Sequence, residues 1–126
     1  MRQKKASRAE MDVLREVMER QPVTVREVAD AMAAKKGVAL TTVQTLLGRL
    51  VTKGLLKRQQ ADGAWRYSLT GPRPEVERSL VDDFVETVLG GSLSPFVAYL
   101  NDRNDLKPEE AQALRDLMER LDKEGQ

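Results

Sequence analysis

Apolar residues in the first 54 positions recur with the period of an α-helix in three separate stretches. The stripes are Met11, Leu14, Val17 and Met18, then Val25, Val28, Ala29 and Met32, then Val43, Leu46, Leu47 and Leu50. Each stripe is narrow, so one face of each predicted helix is available for a shared core while the opposite face stays in water. The pattern therefore predicts three short amphipathic helices.

Residues that cap helices stand in front of these stretches. Ser7 with Glu10 forms a capping-box pattern, and Thr24 and Thr41 are placed to cap the second and third helices. The stretches end at Pro22, Gly37 and Gly54, which are residue types that terminate helices. We therefore predict helix boundaries at these positions, with a short extended segment at Pro22-Val23.

The apolar period changes to two after Leu55. Residues 55–60 and 64–69 predict two strands, and Asp62-Gly63 predicts the tight turn of a hairpin. Alternation places Trp65, Tyr67 and Leu69 on one face, which we expect to pack against the helices, and leaves Arg66 pointing outward. The predicted elements follow the order helix, short strand, helix, helix and hairpin. This is the element order of a winged helix-turn-helix DNA-binding domain.

Residues 71–74 (Gly-Pro-Arg-Pro) break the pattern, and the chain beyond them has helical periodicity only. We predict a mainly α protein with a winged-helix domain at residues 1–71 and a helical dimerisation domain at residues 72–126. Its predicted dimer contacts are Val76, Leu80, Phe84, Val88, Leu89, Phe96, Val97, Leu100, Leu114, Leu117, Met118 and Leu121. Single-stripe helices of this length need a partner surface, which a second copy supplies. The alternative is a monomer whose helices fold back onto the N-terminal core.

The balance of basic and acidic residues along the 126-residue sequence changes near the same segment, residues 71–74. Residues 1–70 carry 14 Lys and Arg against 7 Asp and Glu, whereas residues 71–126 carry 7 against 13. A net charge of +7 in the first part and −6 in the second indicates that the first part binds a polyanion. Double-stranded DNA is therefore the expected partner.

Composition also limits the chemistry. The sequence has no cysteine and no histidine, so thiolate and imidazole ligands or catalysts are absent, and we assign no catalytic residue, metal or cofactor. Asp82, Asp83 and Glu86 have the spacing of a solvated helix face rather than a cation site. No apolar signal core follows the basic residues 1–5, and no run is long enough for membrane insertion, so we expect a cytoplasmic protein.

The third helix is the expected reading helix, because its face opposite the apolar stripe carries no acidic residue. The Gln44 amide is suited to hydrogen bonds with the edge of an adenine base. Thr42 and Thr45 are suited to donate to phosphates or to contact a thymine methyl group, and Arg49 and Lys53 are suited to bind phosphates. The predicted DNA contacts are Thr41, Thr42, Gln44, Thr45, Arg49 and Lys53, with Lys57, Arg58 and Arg66 on the hairpin. Two other functions remain open: a protein-interaction module that uses the basic face, and an enzyme built on carboxylates or Tyr67.

Residues 41–54 (TTVQTLLGRLVTKG) resemble the recognition helix of the penicillinase repressors, which control bacterial beta-lactamase and methicillin-resistance genes. Residues 88–91 and residues 106–117 resemble the dimerisation helices of that family, so the likeness covers nearly the whole chain. The resemblance implies a transcriptional repressor that binds a palindromic operator as a homodimer, with intertwined C-terminal helices and one winged helix on each half-site.

The chain departs from this family at three points. The sequence lacks the Asn-Phe pair at which antibiotic-responsive members are cleaved, and residues 96–101 read Phe-Val-Ala-Tyr-Leu-Asn instead. It lacks the cysteine cluster of copper-responsive members, and Gln44 stands where many members have a basic residue. The resemblance therefore identifies neither an operator sequence, nor an upstream sensor protease, nor the signal that relieves repression.

Overall fold

The computed structural model describes residues 6–124, apart from the side chains of Lys36 and Glu124. The basic residues 1–5 noted above lie outside this range. The described residues form the helices α1 (Arg8–Arg20), α2 (Val25–Lys36), α3 (Leu40–Thr52), α4 (Arg73–Thr87), α5 (Ser94–Asn101) and α6 (Pro108–Glu124), and the strands β1 (Val23–Thr24), β2 (Leu56–Ala61) and β3 (Ala64–Leu69). The order of the first six elements is that of a winged helix, as the sequence predicts.

Capping boxes start the first two helices. The Ser7 hydroxyl accepts from the Glu10 N–H at 3.1 Å, and the Glu10 carboxylate accepts from the Ser7 N–H at 2.9 Å. Thr24 and Glu27 form the same reciprocal pair at the start of α2. Gly37 then ends α2 in the left-handed region, at φ 63°. Both predicted caps and the predicted glycine end of α2 are confirmed.

The start of α3 differs from the prediction. Ala39, not Thr41, is the N-cap residue, and its carbonyl accepts from the Val43 N–H at 3.1 Å. Thr41 therefore lies inside the first turn, where its own carbonyl accepts from the Thr45 hydroxyl at 3.0 Å. The prediction of a threonine cap is wrong, because the helix starts two residues earlier and no side chain in the described part of the chain caps it.

The three strands form one antiparallel sheet in the order β1-β3-β2. Asp62 and Gly63 both have positive φ, 54° and 79°, as a two-residue turn between twisted strands requires. In β2 and β3, Leu56 pairs with Leu69, and the register continues through the hairpin to Ala61 and Ala64. The predicted hairpin and its turn are confirmed, although β2 starts one residue later than expected.

One hydrophobic core joins the helices of the winged helix to the base of the sheet. Its buried members are Val13, Leu14, Val17, Met18, Val23, Val28, Ala29, Met32, Val43, Leu46, Leu47, Leu50, Leu55, Leu56, Tyr67, Leu69 and Val76. The three predicted stripes contribute most of them. Val76 adds α4 to this core, and Leu80 packs against it from the next turn of α4. The core fixes α3 and the hairpin relative to each other.

The chain divides into two compact units, the first extending to Gly91 and the second beginning at Ser92. Because Val76 is buried in the first core, that unit continues past the Gly-Pro-Arg-Pro segment and includes α4. Gly90 and Gly91, both with positive φ, separate α4 from α5. Within residues 6–124, no helix has the length and apolar character needed to span a membrane.

Candidate nucleic-acid interface

The two faces of α3 differ sharply in burial. Val43, Leu46, Leu47 and Leu50 are buried, whereas Thr41, Thr42, Gln44, Thr45 and Arg49 are exposed. The helix contains no acidic residue, so no carboxylate on α3 would repel phosphates. The structure therefore brings five of the predicted contact residues together on one exposed face.

The start of α3 adds donors to this face. Among the described residues, no side chain accepts from its first N–H groups, and its first turn carries no acid, unlike α1 and α2 with their capping boxes. Uncapped N–H groups and the positive end of the helix dipole favour a nearby anion. Exposed Thr41 and Thr42 lie in this first turn, so both main chain and side chains present donors there.

Gly48 lies in the middle of α3 on the partly exposed side. A Cβ at this position would meet no atom of the described chain within 4 Å outside its own helix backbone. Glycine in a helix interior costs about 1 kcal/mol relative to alanine. The packing of the described residues therefore does not account for a glycine at this position.

Lys53, predicted to neutralise phosphates, is held by a carboxylate of α1. Its ammonium lies 2.6 Å from Glu10 Oε1, and the two side chains are 23% and 3% exposed. Burial raises the pKa of Glu10, but the hydrogen bonds from Lys53 and the Ser7 N–H outweigh it and hold the pKa below its ordinary value. Lys53 thus joins the end of α3 to the start of α1, a role that the sequence pattern did not indicate.

The hairpin carries its three predicted contact residues on two different faces. Side chains that are directly opposite in an antiparallel pair lie on the same face. Arg58 pairs with buried Tyr67, so it shares the face that turns toward the helices, and it lines a groove with Thr45, Arg49 and Lys53. Lys57 is the next residue along β2, so it lies on the opposite face.

Arg66 also lies on the face opposite Arg58. It pairs with Thr24 on one side and Gln59 on the other, in the central strand of the sheet. The pKa of Glu27 is lowered first by the Thr24 N–H, then by the Thr24 hydroxyl and by the positive charge of Arg66. Arg66 therefore lies near the start of α2, apart from the groove that Arg58 lines.

Trp65 was expected to pack against the helices with Tyr67 and Leu69, and this prediction is wrong. Tyr67 and Leu69 are buried, but Trp65 is 42% exposed. It pairs with Gln60 close to the turn, where the hairpin extends beyond the core. The Arg58 guanidinium lies over its ring, 4.5 Å from the centroid. Strand alternation identifies the face of a residue but not how far the core extends along that face.

The predicted dimer contacts fall into three groups by exposure. Val76 is buried in the core of its own protomer, and Leu80, Leu89, Leu100 and Leu114 are half-buried. The exposed members are Phe84, Val88, Phe96, Val97, Leu117, Met118 and Leu121. Val81, Leu93 and Tyr99 are also exposed but were not predicted as contacts.

No group of three acidic side chains among the described residues is arranged to hold a metal ion. Asp82, Asp83 and Glu86 lie along α4, and Asp83 Oδ2 has no hydrogen-bond partner within the described part of the chain. One unpaired carboxylate oxygen does not form a cation site, because hard cations take six or more oxygen ligands.

Comparisons with known proteins agree with this geometry. The model of the penicillinase repressor family matches residues 6–120. The penicillinase repressor of Staphylococcus aureus is 25% identical over 122 residues, which is 97% of each chain. The transcriptional regulator BlaI of Mycobacterium tuberculosis is 34% identical over 103 residues, 81% of this chain and 73% of that protein.

A solved structure supports the fold. The solution structure of the DNA binding domain of the repressor BlaI superposes with a TM-score of 0.52 at 23% identity, covering 58% of this chain and 90% of that domain. The family is one of transcriptional repressors and not of enzymes. Since the family match covers residues 6–120 and one relative is 34% identical over most of the chain, this protein belongs to the penicillinase repressor family.

Proposed function

We propose that this protein is a sequence-specific transcriptional repressor that binds a palindromic operator as a homodimer in the cytoplasm. The observation that carries the proposal is the exposed face of α3, which presents Gln44, Arg49 and four threonines without an acidic residue. In a winged helix this helix enters the major groove and the hairpin lies along the backbone. Each protomer then covers one half-site.

Within this interface, base reading and phosphate binding fall to different residues. The exposed amide of Gln44 fits the N6 and N7 edge of an adenine. Arg49 and the uncapped N–H groups at the start of α3 are suited to phosphates. Thr45 donates its hydroxyl proton to the Thr41 carbonyl, which leaves its methyl group for a thymine contact.

The homodimer is supported by the apolar side chains that the protomer leaves exposed in α4, α5 and α6. Val88, Val97 and Met118 are 58%, 58% and 66% exposed, and large exposed apolar groups of this kind mark interaction surfaces. A second copy presents the same set of groups, so two protomers can cover them through a symmetric interface. A palindromic operator follows from that two-fold symmetry.

The test is a footprint on the promoter upstream of the protein's own gene, followed by affinity measurements across a salt series. We expect a protected palindrome and a steep fall in affinity with salt, because bound Lys and Arg displace counterions from phosphates. The slope of the logarithm of the binding constant against the logarithm of the salt concentration is the salt slope. Arg49→Ala should reduce the size of this salt slope by about one for each half-site. Arg15→Ala is the charge-matched control, since Arg15 lies on α1 and pairs with Asp12.

The same experiment separates this function from a protein-interaction module. Such a module would protect no promoter fragment at any salt concentration. It would also leave Arg49→Ala and Arg15→Ala indistinguishable. Either result would contradict the proposed function.

A further inference from the structure

The hairpin tip combines a partly exposed indole with a cation. Trp65 is 42% exposed, and the Arg58 guanidinium lies over its ring at 4.5 Å from the centroid. An exposed tryptophan at a hairpin tip adds little to the core, because the buried residues of this face end at Tyr67. The position of Trp65 therefore calls for an explanation other than core packing.

The strand register defines the side on which this pair lies. Arg58 pairs with Tyr67, and Trp65 pairs with Gln60, so Arg58 and Trp65 are diagonal neighbours on one face of the hairpin. This is the face that carries the buried Tyr67 and Leu69 farther from the turn. It therefore faces the side of the molecule on which α3 lies, and the opposite face carries Lys57 and Arg66.

Arg58 also takes part in the groove next to the reading helix. The groove is lined by Thr45, Gly48, Arg49, Val51, Thr52, Lys53 and Arg58. Lys53 is occupied by Glu10, so Arg49 and Arg58 are the exposed cations at its two sides. No carboxylate within the described part of the chain forms a salt bridge with Arg58. Its guanidinium charge is therefore not neutralised.

Stacking on an indole restricts the guanidinium without using its donors. A guanidinium that stacks on an aromatic face keeps its N–H groups, which lie in its own plane, available as donors. A long arginine side chain otherwise loses rotamer freedom when it binds. An indole that holds the arginine in place beforehand reduces this loss.

From this geometry we propose that Trp65 is a positioning residue, which holds the Arg58 guanidinium in the groove between α3 and the hairpin so that it binds a phosphate of the operator backbone. The inference rests on the proposed function, because it needs DNA in that groove. It assigns Arg58 and Arg49 to the two sides of the groove. It also gives Trp65 a part in DNA binding through Arg58.

A double-mutant cycle on the full-length protein tests the coupling. Trp65→Leu should weaken operator binding about five-fold, as expected for a lost cation–π contact, and Trp65→Phe should retain most of the affinity. In an Arg58→Ala background the Trp65→Leu change should have no further effect, because the side chain that it positions is gone. Gln60→Ala, directly opposite Trp65, is the control and should bind as the wild type does.

Equal affinity of Trp65→Leu and wild type would overturn the inference, and so would additive losses in the double variant. Neither result would affect the proposed function, provided that the wild type still protects its operator. Failure of the wild type to bind any DNA would instead overturn the proposed function itself.

A second readout needs no substitution, because Trp65 is the single tryptophan of the sequence. Its fluorescence therefore reports on the hairpin tip alone. We expect iodide quenching of this fluorescence to fall at least two-fold when operator DNA is added, since the duplex would cover the groove and repel the anion. Unchanged quenching at saturating DNA would show that the hairpin tip lies away from the duplex, which would overturn the inference.

Discussion

The two compact units of this chain differ in how they are stabilised. In the first unit α1, α2, α3 and the sheet enclose a core in which Leu14, Leu47 and Leu50 are fully buried. In the second unit α5 buries none of its residues, and α6 leaves Leu117, Met118 and Leu121 exposed. The first unit therefore contains the interactions that order it, whereas the second leaves apolar side chains exposed, which the proposed homodimer would cover. This contrast fits the proposed function, in which the first unit binds DNA and the second contributes to a homodimer.

The largest expected effect is on the core of the first unit. Leu47→Ala should reduce the free energy of unfolding by about 2–5 kcal/mol, because it leaves a cavity behind the reading helix. Urea unfolding at fixed protein concentration measures this. Thr52→Ala is the matched control on the exposed face of α3 and should change stability by less than about 0.5 kcal/mol. Equal effects of the two changes would show that the core does not stabilise this unit as described.

The second prediction concerns the apolar surface of α6. Leu121→Glu should raise the dimer dissociation constant at least about thirty-fold, because each protomer would bury an unpaired charge. Sedimentation equilibrium measures the change. Gln112→Glu adds the same charge nine residues earlier, on the opposite side of the helix, and should leave the constant unchanged. A monomeric wild type, or equal effects of the two variants, would contradict the homodimer.

The sequence was sufficient to predict what depends on local chemistry. The capping box at Ser7, the cap at Thr24 and the Asp62-Gly63 turn involve residues a few positions apart, so a sequence pattern defines them. What the sequence missed at Trp65, and in the partner of Lys53, is non-local. Trp65 is exposed because the hairpin extends beyond the hydrophobic core, whose buried residues on this face end at Tyr67. The alternation of apolar residues does not indicate how far the hairpin extends past the core.

Lys53 shows the same limit at the candidate site. Its partner Glu10 is 43 positions away in the chain, so no local pattern joins the two residues. The phosphate contact of Lys53 stays a prediction, but the pairing of its ammonium with a buried carboxylate is a feature that the sequence did not indicate. The start of α3 was misplaced for a different, local reason, since threonine at position 41 suits a cap but the chain is already helical at Leu40.

The third prediction tests this link between α1 and α3. Glu10→Gln should cost about 1–3 kcal/mol at pH 7, because the partly buried ion pair with Lys53 loses its acceptor charge. Since the folded-state pKa of Glu10 is lowered, the stability that it contributes is present above its unfolded pKa and is lost as the pH falls through the folded pKa. The difference between wild type and variant should therefore shrink below about pH 4.

Thermal or urea unfolding at pH 7 and pH 3 measures that difference. Glu77→Gln is the matched control, because Glu77 forms an exposed pair with Arg73 at 3.1 Å on α4, and it should change stability by less than about 0.5 kcal/mol. A Glu10→Gln difference that stays constant from pH 7 to pH 3 would rule out an ionised Glu10 as the cause.

A smaller effect is expected at Gly48, where stability and DNA binding should move in opposite directions. Gly48→Ala should stabilise the fold by about 1 kcal/mol, because alanine is the better helix former and its methyl group meets no described atom within 4 Å. If the operator backbone or a base edge approaches α3 closely there, the same methyl group should weaken binding. Melting temperature and operator affinity, measured on one preparation, check both. Unchanged affinity would remove close approach as the reason for this glycine.

The most direct test of the reading helix is binding-site selection with the wild type and with Gln44→Ala at one salt concentration. The account predicts that the variant loses its preference at one base pair in each half-site, worth about 1–3 kcal/mol of discrimination, while the rest of the selected palindrome stays the same. Its salt slope should match the wild type, because Gln44 carries no charge. An identical selected sequence for both proteins would contradict the assignment of α3 as the helix that reads the operator through Gln44.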